Sequence, residues 1–185
     1  MAAYLLLIVA LLSRIVPHSG WMGFTAVGGS LLYFGARRNW REMLIPAVAL
    51  AAVDYYLTVY VYSYPFHAVD YAITWGWYLA AIVLGHILLA PRVTFARVAT
   101  SALLGPTSFF LVSNYAVWLG SHQPGGMYAP GLNGLLTCLA AGIPFYERDL
   151  LSTELVLGLA FGIPALVRRS TLRLAPVKAN SRRTL

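Results

Sequence analysis

Long apolar runs, separated by short polar stretches, occupy most of the chain up to about residue 167. A helix that crosses the hydrocarbon core of a bilayer needs roughly 20 mainly apolar residues. Six runs approach this length, at about residues 2–16, 21–36, 43–61, 69–90, 98–119 and 150–167. The pattern therefore predicts an all-α fold, a polytopic membrane helix bundle with six transmembrane helices.

The basic residues lie between these runs, in clusters that follow every second run. The clusters are at residues 37–41, at residues 92–97 and from Arg168 onward. A chain that crosses a bilayer returns to the same side after every second crossing, and cytoplasmic loops carry an excess of Lys and Arg. We therefore predict that both termini are cytoplasmic. The loops predicted to face outward are 17–20, 62–68 and 120–148.

The last of these outer loops contains an apolar segment, Leu132–Ile143, that is too short to span. Pro130 and Gly131 precede it, and Pro144 follows it. We predict a short interfacial or re-entrant helix, a form that is tolerated at membrane depth where protein covers it or where it lines a cavity. A seventh, shorter crossing is the alternative, but it would place the basic tail outside.

Composition supports the membrane assignment. The 185 residues are 59% hydrophobic and 10% charged, whereas a soluble domain carries about 25% charged residues. We expect one transmembrane domain over residues 1–169 and a flexible, basic cytoplasmic tail over residues 170–185. The net charge of +7 lies at helix ends and in the tail, where the charge bias of cytoplasmic loops and contact with anionic membrane lipid explain it. We therefore expect no nucleic-acid partner.

Two glycines, Gly158 and Gly162, are spaced four residues apart in the sixth predicted helix. Small residues at this spacing let two helix backbones approach closely. We expect them to serve packing inside the bundle, and a partner interface is the alternative.

Polar residues within the predicted spans gather at a similar depth. Arg14, Asn114 and Glu154 fall in the outer half of the bundle, and Asp54 falls near its middle. Ionisable residues inside a membrane usually face the bundle interior or a wet cavity, so this arrangement suggests one polar site that opens outward. A structural ion pair of Arg14 with Asp54 or Glu154 is the alternative, because an unpaired charge in an apolar medium is costly.

Aromatic residues near these polar groups suggest the walls of a pocket. Tyr55, Tyr56 and Trp75 lie deeper than the aromatic belt that marks a lipid interface, and Trp118 follows Asn114 by one helical turn. Ligand pockets are commonly lined by aromatic side chains with a few polar groups, although the belt explains Trp118 equally well. The candidate substrate-binding residues are Arg14, Asp54, Tyr55, Tyr56, Trp75, Asn114, Trp118 and Glu154.

The motifs of common enzymes are absent from the sequence. It contains no HExxH, GxSxG, Walker or CxxC pattern. Cys138 is the single cysteine, so no intrachain disulfide can form, and no cationic neighbour in sequence would activate its thiol. The outer-loop histidines His18, His67 and His122 have no diagnostic spacing. We therefore expect a protein that is not an enzyme and that holds no metal and no cofactor.

Three stretches resemble the signatures of an uncharacterised family of small bacterial membrane proteins. The first runs from Ser13 to His18 and continues at Phe24–Gly29, the second is Phe109–Trp118, and the third is Ala141–Phe145. Together with weaker matches they extend from residue 13 to about residue 163. The resemblance implies a multi-pass protein of the bacterial cytoplasmic membrane.

In size and predicted topology the chain also resembles the substrate-binding (S) subunits of energy-coupling-factor vitamin transporters. This resemblance implies that a small organic, vitamin-like solute binds near the outer face. It also implies a transmembrane coupling subunit with ATPases as a partner, since the sequence carries no ATPase signature. The function expected is therefore solute capture for transport, and a non-catalytic accessory or assembly subunit of a larger membrane complex is the alternative.

Overall fold

The computed structural model describes residues 1–16, 24–121 and 126–174, and these residues form helices and no strand. The helices are α1 Ala2–Ile15, α2 Val27–Arg37, α3 Leu44–Tyr56, α4 Ala68–Leu89, α5 Phe95–Ser121 and α6 Leu132–Leu174. A 3₁₀ turn at Trp40–Glu42 precedes α3, and a π-helical turn at Leu57–Val61 extends it. The predicted all-α class is confirmed. The predicted outer loop at 17–20 and most of the predicted tail lie outside the described residues.

Among the described residues, four helical segments are long and apolar enough to cross a membrane. They are Trp40–Val61, Tyr71–Leu89, Phe95–Ser121 and Leu132–Thr171. The other two helices are shorter, because α1 has 14 residues and α2 has 11. At 1.5 Å per residue they measure about 21 Å and about 17 Å, against about 30 Å for the hydrocarbon core. Six complete crossings and cytoplasmic termini therefore stay predictions.

The prediction of a separate interfacial or re-entrant helix at Leu132–Ile143 is wrong. These residues are the first part of α6, which continues for 43 residues and passes through Pro144 and Pro164. A proline removes one backbone donor, and neighbouring helices can compensate for this loss within a membrane bundle. Here α5 packs along this part of α6, and the hydroxyls of Thr107 and Tyr146 lie 2.9 Å apart across the two helices. The packing of α5 against α6 therefore outweighs the tendency of the proline to end the helix.

Helix α2 forms the centre of the bundle, with every residue from Val27 to Gly35 buried. Glycines allow its backbone to touch that of α4. A β-carbon added to Gly35 would lie 1.9 Å from the carbonyl oxygen of Ile82, and one added to Gly85 would lie 2.1 Å from that of Leu32. Small residues let helix backbones approach closely in this way.

The arginine clusters gather at one end of the bundle, which we name the basic end. Arg37 lies over the ring of Phe161 in α6, 5.1 Å from its centroid. Arg97 at the start of α5 donates from Nη1 to the carbonyl oxygen of Leu88 at 2.9 Å. Tyr4 near the start of α1 donates to Glu42, which Arg38 also binds. The start of the chain therefore lies beside the loops that carry the clusters.

One face of α6 is open. Glu154 is exposed, and no atom from elsewhere in the described chain lies within 4 Å of a β-carbon added to Gly158 or Gly162. These three residues repeat every four positions, so they share a face of the helix. The two glycines therefore do not serve the internal packing expected of them within the described part of the chain. We call this surface the Glu154 face.

Candidate functional site

A cavity of about 370 Å³ lies beside the C-terminal end of α1 and the N-terminal end of α2, the two short helices. Helix α1 ends at Ile15 and α2 begins at Val27, while α4, α5 and α6 continue beyond them toward the end opposite the basic end. Among the described residues, none fills the space between the three long helices at this level. Arg14, Val27 and Gly28 form its floor, and the walls come from the long helices.

The first turn of α2 is fixed in place by small and polar residues. The backbone N–H of Ala26 donates to Ser13 Oγ at 3.0 Å, which ties the start of α2 to the end of α1. Gly28 brings α2 against α6, since an added β-carbon would lie 2.6 Å from Thr153 Oγ1 and 3.5 Å from Asp149 Oδ1. The N-terminal end of α2, which carries a partial positive charge, therefore lies beside the carboxylate of Asp149.

Arg14 and Asp54 form an ion pair at the edge of the cavity. Arg14 donates to Asp54 Oδ1 from Nε at 2.7 Å, and its Nη2 is 2.6 Å from the same oxygen. The other oxygen, Oδ2, accepts from Trp75 Nε1 and from the Tyr78 hydroxyl, each at 3.1 Å. The Asp54 side chain is 0% exposed, and that of Arg14 is 29% exposed. The carboxylate is thus satisfied inside the protein, while the guanidinium reaches the cavity.

Asp149 also lines the cavity, and its situation is different. No hydrogen bond or ion pair joins its carboxylate to another of the described residues. Asp149 falls between the predicted outer loop 120–148 and the sixth predicted span 150–167, so it was not among the candidate site residues. Once α6 is continuous, Gly142, Tyr146, Asp149 and Thr153 recur at three- and four-residue spacing on one helix face, and this spacing is the signal that was missed.

Asn114 is held between α5 and α6 at the wall of the cavity. Its Nδ2 donates to the carbonyl oxygen of Phe110 at 2.8 Å, and a β-carbon on Gly142 would lie 2.6 Å from its Oδ1. The buried thiol of Cys138 donates to the backbone oxygen of Asn114 at 3.3 Å. The single cysteine is therefore part of the helix contact that positions Asn114.

Aromatic rings form much of the remaining wall. The ring centroids of Trp77 and Phe109 are 4.6 Å apart, and those of Phe110 and Tyr146 are 4.9 Å apart. Trp77 donates from Nε1 to the carbonyl oxygen of Gly105 at 3.3 Å. These contacts fix the rings before any ligand is present. The other polar lining residues are Thr25, Thr74 and Ser113.

The predicted site residues occupy several different places. Arg14 and Asn114 line the cavity, with Asp54 and Trp75 behind Arg14 in the network described above. Tyr55 and Tyr56 are 45% and 49% exposed on the outside of α3, as an aromatic belt would be. Trp118 donates from its indole to the carbonyl oxygen of Ala129 at 3.1 Å, and Glu154 is exposed on α6. The lining residues not selected from the sequence include Trp77, Phe109, Phe110, Tyr146 and Asp149.

The described residues hold no group of three or more His, Cys, Asp or Glu side chains that could bind a metal ion. His18 and His122 lie outside the described part of the chain. His86 contacts the carbonyl oxygen of Gly35 through Nδ1 at 3.3 Å, and its ring packs on Trp40 with centroids 4.9 Å apart.

Comparison with known proteins identifies a family and no closer relative. A search of curated proteins and a search of solved structures each found no match. Membership in an uncharacterised family, which the sequence motifs indicated, is confirmed, whereas the likeness to S subunits stays a prediction. The model of the family DUF6580 matches residues 1–177. The chain belongs to DUF6580, a family of unknown function.

Proposed function

We propose that this protein is an integral membrane protein that captures a small organic solute in the cavity at the ends of α1 and α2. The observation that carries the proposal is the cavity itself, about 370 Å³ in volume and lined by Arg14, Asn114 and Asp149 together with fixed aromatic rings. Binding pockets for small molecules have volumes of about 300–1,000 Å³ and this mixture of linings.

The structural role of the ion pair does not account for the cavity. An Arg14–Asp54 pair that only joined α1 to α3 would be enclosed by packed side chains, because protein interiors are close-packed. Instead the guanidinium borders an open volume, and Asn114 and Asp149 are among the other polar side chains that line it. Polar groups around an unfilled space at this depth suit a ligand that supplies their missing partners.

The charge rule orients the proposed site. With the basic end in the cytoplasm, both termini are cytoplasmic and the cavity lies toward the outer face of the bacterial cytoplasmic membrane. Capture of a vitamin-like solute from outside is the role of S subunits in energy-coupling-factor transporters. Delivery inward would then depend on a separate transmembrane coupling subunit with ATPases.

The test is retention of solutes by the purified protein, measured by equilibrium dialysis against a panel of vitamins. We expect one solute to bind, and we expect Asn114→Ala and Phe109→Ala to weaken it by roughly tenfold or more, as lost contacts in a small pocket do. Tyr56→Ala, on the exposed side of α3, is the matched control and should bind normally. Failure of every solute to bind, or equal binding by all variants, would remove the proposal.

The Glu154 face favours the second candidate, an accessory or assembly subunit of a larger membrane complex. Two open glycines beside an exposed carboxylate suit a neighbouring helix that approaches closely and supplies a polar partner. A photo-cross-linker at Leu155 would then trap a neighbouring chain, whereas one at the equally exposed Val48 of α3 would not. That result, combined with no solute retention, would favour this candidate over solute capture.

A further inference from the structure

The charges that line the cavity do not cancel. Arg14 and Asp54 neutralise each other, with Arg14 Nη2 2.6 Å from Asp54 Oδ1. The carboxylate of Asp149 remains without a cationic partner among the described residues. The other polar side chains of the lining, such as Thr25, Thr74 and Asn114, are neutral. With Asp54, which lies behind Arg14, counted together with Arg14 and Asp149, the three side chains carry a net charge of about −1 when Asp149 is ionised.

A carboxylate in this position is incompletely stabilised by the protein. The N-terminal end of α2 lies close to it, and a helix N-terminus favours negative charge by about 0.3–1 kcal/mol. None of the described N–H groups donates to the carboxylate of Asp149, however. Removing a carboxylate from water without a full set of partners is costly. A bound cation would supply the missing interaction.

Aromatic rings stand next to this carboxylate. A β-carbon placed on Gly28 would lie 3.5 Å from Asp149 Oδ1 and also 3.5 Å from Trp77 Cη2. Tyr146 precedes Asp149 by three residues on the same face of α6, and its ring packs on Phe110. The faces of aromatic rings attract cations, most strongly for tryptophan. One carboxylate beside several ring walls is a suitable environment for an organic cation.

We infer that the cavity selects organic cations, namely flat, ring-containing molecules whose positive charge contacts Asp149 while the rings of Trp77, Phe109 and Phe110 hold the apolar part. This inference rests on the proposed solute-binding function and narrows it to one class of solute. An anion is disfavoured, because two nitrogens of Arg14 are already engaged by Asp54 and Asp149 would repel it.

The test uses three probes that share an indole ring and differ in charge: tryptamine (+1), tryptophol (neutral) and indole-3-acetate (−1). Equilibrium dialysis of the full chain in detergent gives a dissociation constant for each. We expect tryptamine to bind at least roughly tenfold more tightly than tryptophol and indole-3-acetate to bind most weakly, as a partly desolvated ion pair implies. This comparison needs no variant, so it holds whether or not a substitution folds.

Two substitutions on α6 test whether the preference for the cation depends on Asp149. Asp149→Asn keeps the shape and removes the charge, so the preference for tryptamine over tryptophol should vanish while tryptophol binding stays within about twofold. Glu147→Gln makes the same charge change two residues away at an exposed position and should leave all three constants unchanged. A preference for tryptamine that survives in Asp149→Asn would overturn the inference.

The remaining outcomes separate the inference from the function on which it rests. Tightest binding of indole-3-acetate, or capture of a neutral or anionic vitamin in the panel, would overturn the selection of cations and leave solute binding intact. Binding of neither the indoles nor any vitamin would remove both proposals.

Discussion

The contact between α2 and α4 gives the sharpest stability prediction, through the substitution Gly35→Ala. The new methyl carbon would lie 1.9 Å from the carbonyl oxygen of Ile82, 2.8 Å from its carbonyl carbon and 3.0 Å from the backbone nitrogen of His86. All three atoms belong to the backbone of α4, so no side-chain rotation can relieve the clash. The two helices must separate by more than about 1 Å to reach an ordinary contact distance.

The expected loss in the free energy of unfolding follows from the close packing around this contact. Overpacking a close-packed core typically costs about 1–3 kcal/mol, and a clash between two backbones belongs at the upper end of that range. The gain in helix propensity from glycine to alanine offsets up to about 1 kcal/mol. We therefore expect a net loss of about 1–2 kcal/mol, together with a change in the shape of the cavity floor, because α2 also supplies Val27 and Gly28.

The assay is thermal unfolding of the purified protein in detergent, with Gly158→Ala as the matched control. The control makes the same chemical change in a helix, at a position where nothing else in the described chain lies within 4 Å. Gly35→Ala should lower the unfolding temperature by several degrees, and Gly158→Ala should leave it equal or slightly higher. If both variants unfold at the temperature of the wild type, the close α2–α4 contact is refuted.

Three further predictions follow from the charges. Arg14→Met should destabilise the protein by about 3–5 kcal/mol, since it leaves the buried Asp54 without its cationic partner; adding Asp54→Asn, which removes the charge and keeps an acceptor for Trp75 and Tyr78, should recover most of that loss in chemical unfolding, and no recovery would argue against the pair. In an otherwise cysteine-free chain, a membrane-impermeant thiol reagent applied from outside should label Met127→Cys and spare Thr171→Cys, and the reverse pattern would invert the proposed orientation. Glu154→Leu should raise the unfolding temperature of the isolated protein, because an exposed carboxylate at mid-helix is costly in an apolar surround; a lower temperature would show that Glu154 has a stabilising partner.

The sequence predicted the middle helices closely. The apolar runs at 43–61, 69–90 and 98–119 correspond to α3 with its π-helical turn, to α4 and to α5, within a few residues at each end. Hydropathy and arginine clusters depend only on the local sequence, so they predict these helices without knowledge of the tertiary structure. The end of α3 at Tyr56 and the change to a π-helical turn were not predicted, since that turn depends on contacts such as the one between Thr58 and Tyr71.

The boundary of α6 could not be predicted from local signals. Gly142, Ile143 and Pro144 are typical of a helix end, yet the helix continues because α5 packs beside it and Tyr146 and Thr107 meet across the interface. The wrong boundary of α6 also affected the prediction of the site residues. Asp149 lay just before the predicted sixth span, so it was not recognised as a member of an inward helix face.

Depth along a helix was easier to predict than direction around it. Arg14, Asp54 and Asn114 were placed at similar depth, and the structure brings Arg14 to Asp54 and places Asn114 at the same cavity. Tyr55 and Tyr56 share that depth but point outward. Helix α3 is apolar on nearly every side, so its sequence has no polar face from which the rotation of the helix could be derived.

The burial of α2 sets a limit on what this chain can do by itself. From Leu31 to Phe34 its side chains are at most 7% exposed, and they stand directly between the cavity and the basic end. If the proposed function holds, these buried side chains block the way from the cavity to the basic end, so the isolated chain would bind a solute without conducting it. We therefore expect liposomes that contain this protein alone to bind the solute at their surface and to show no flux of it across the bilayer.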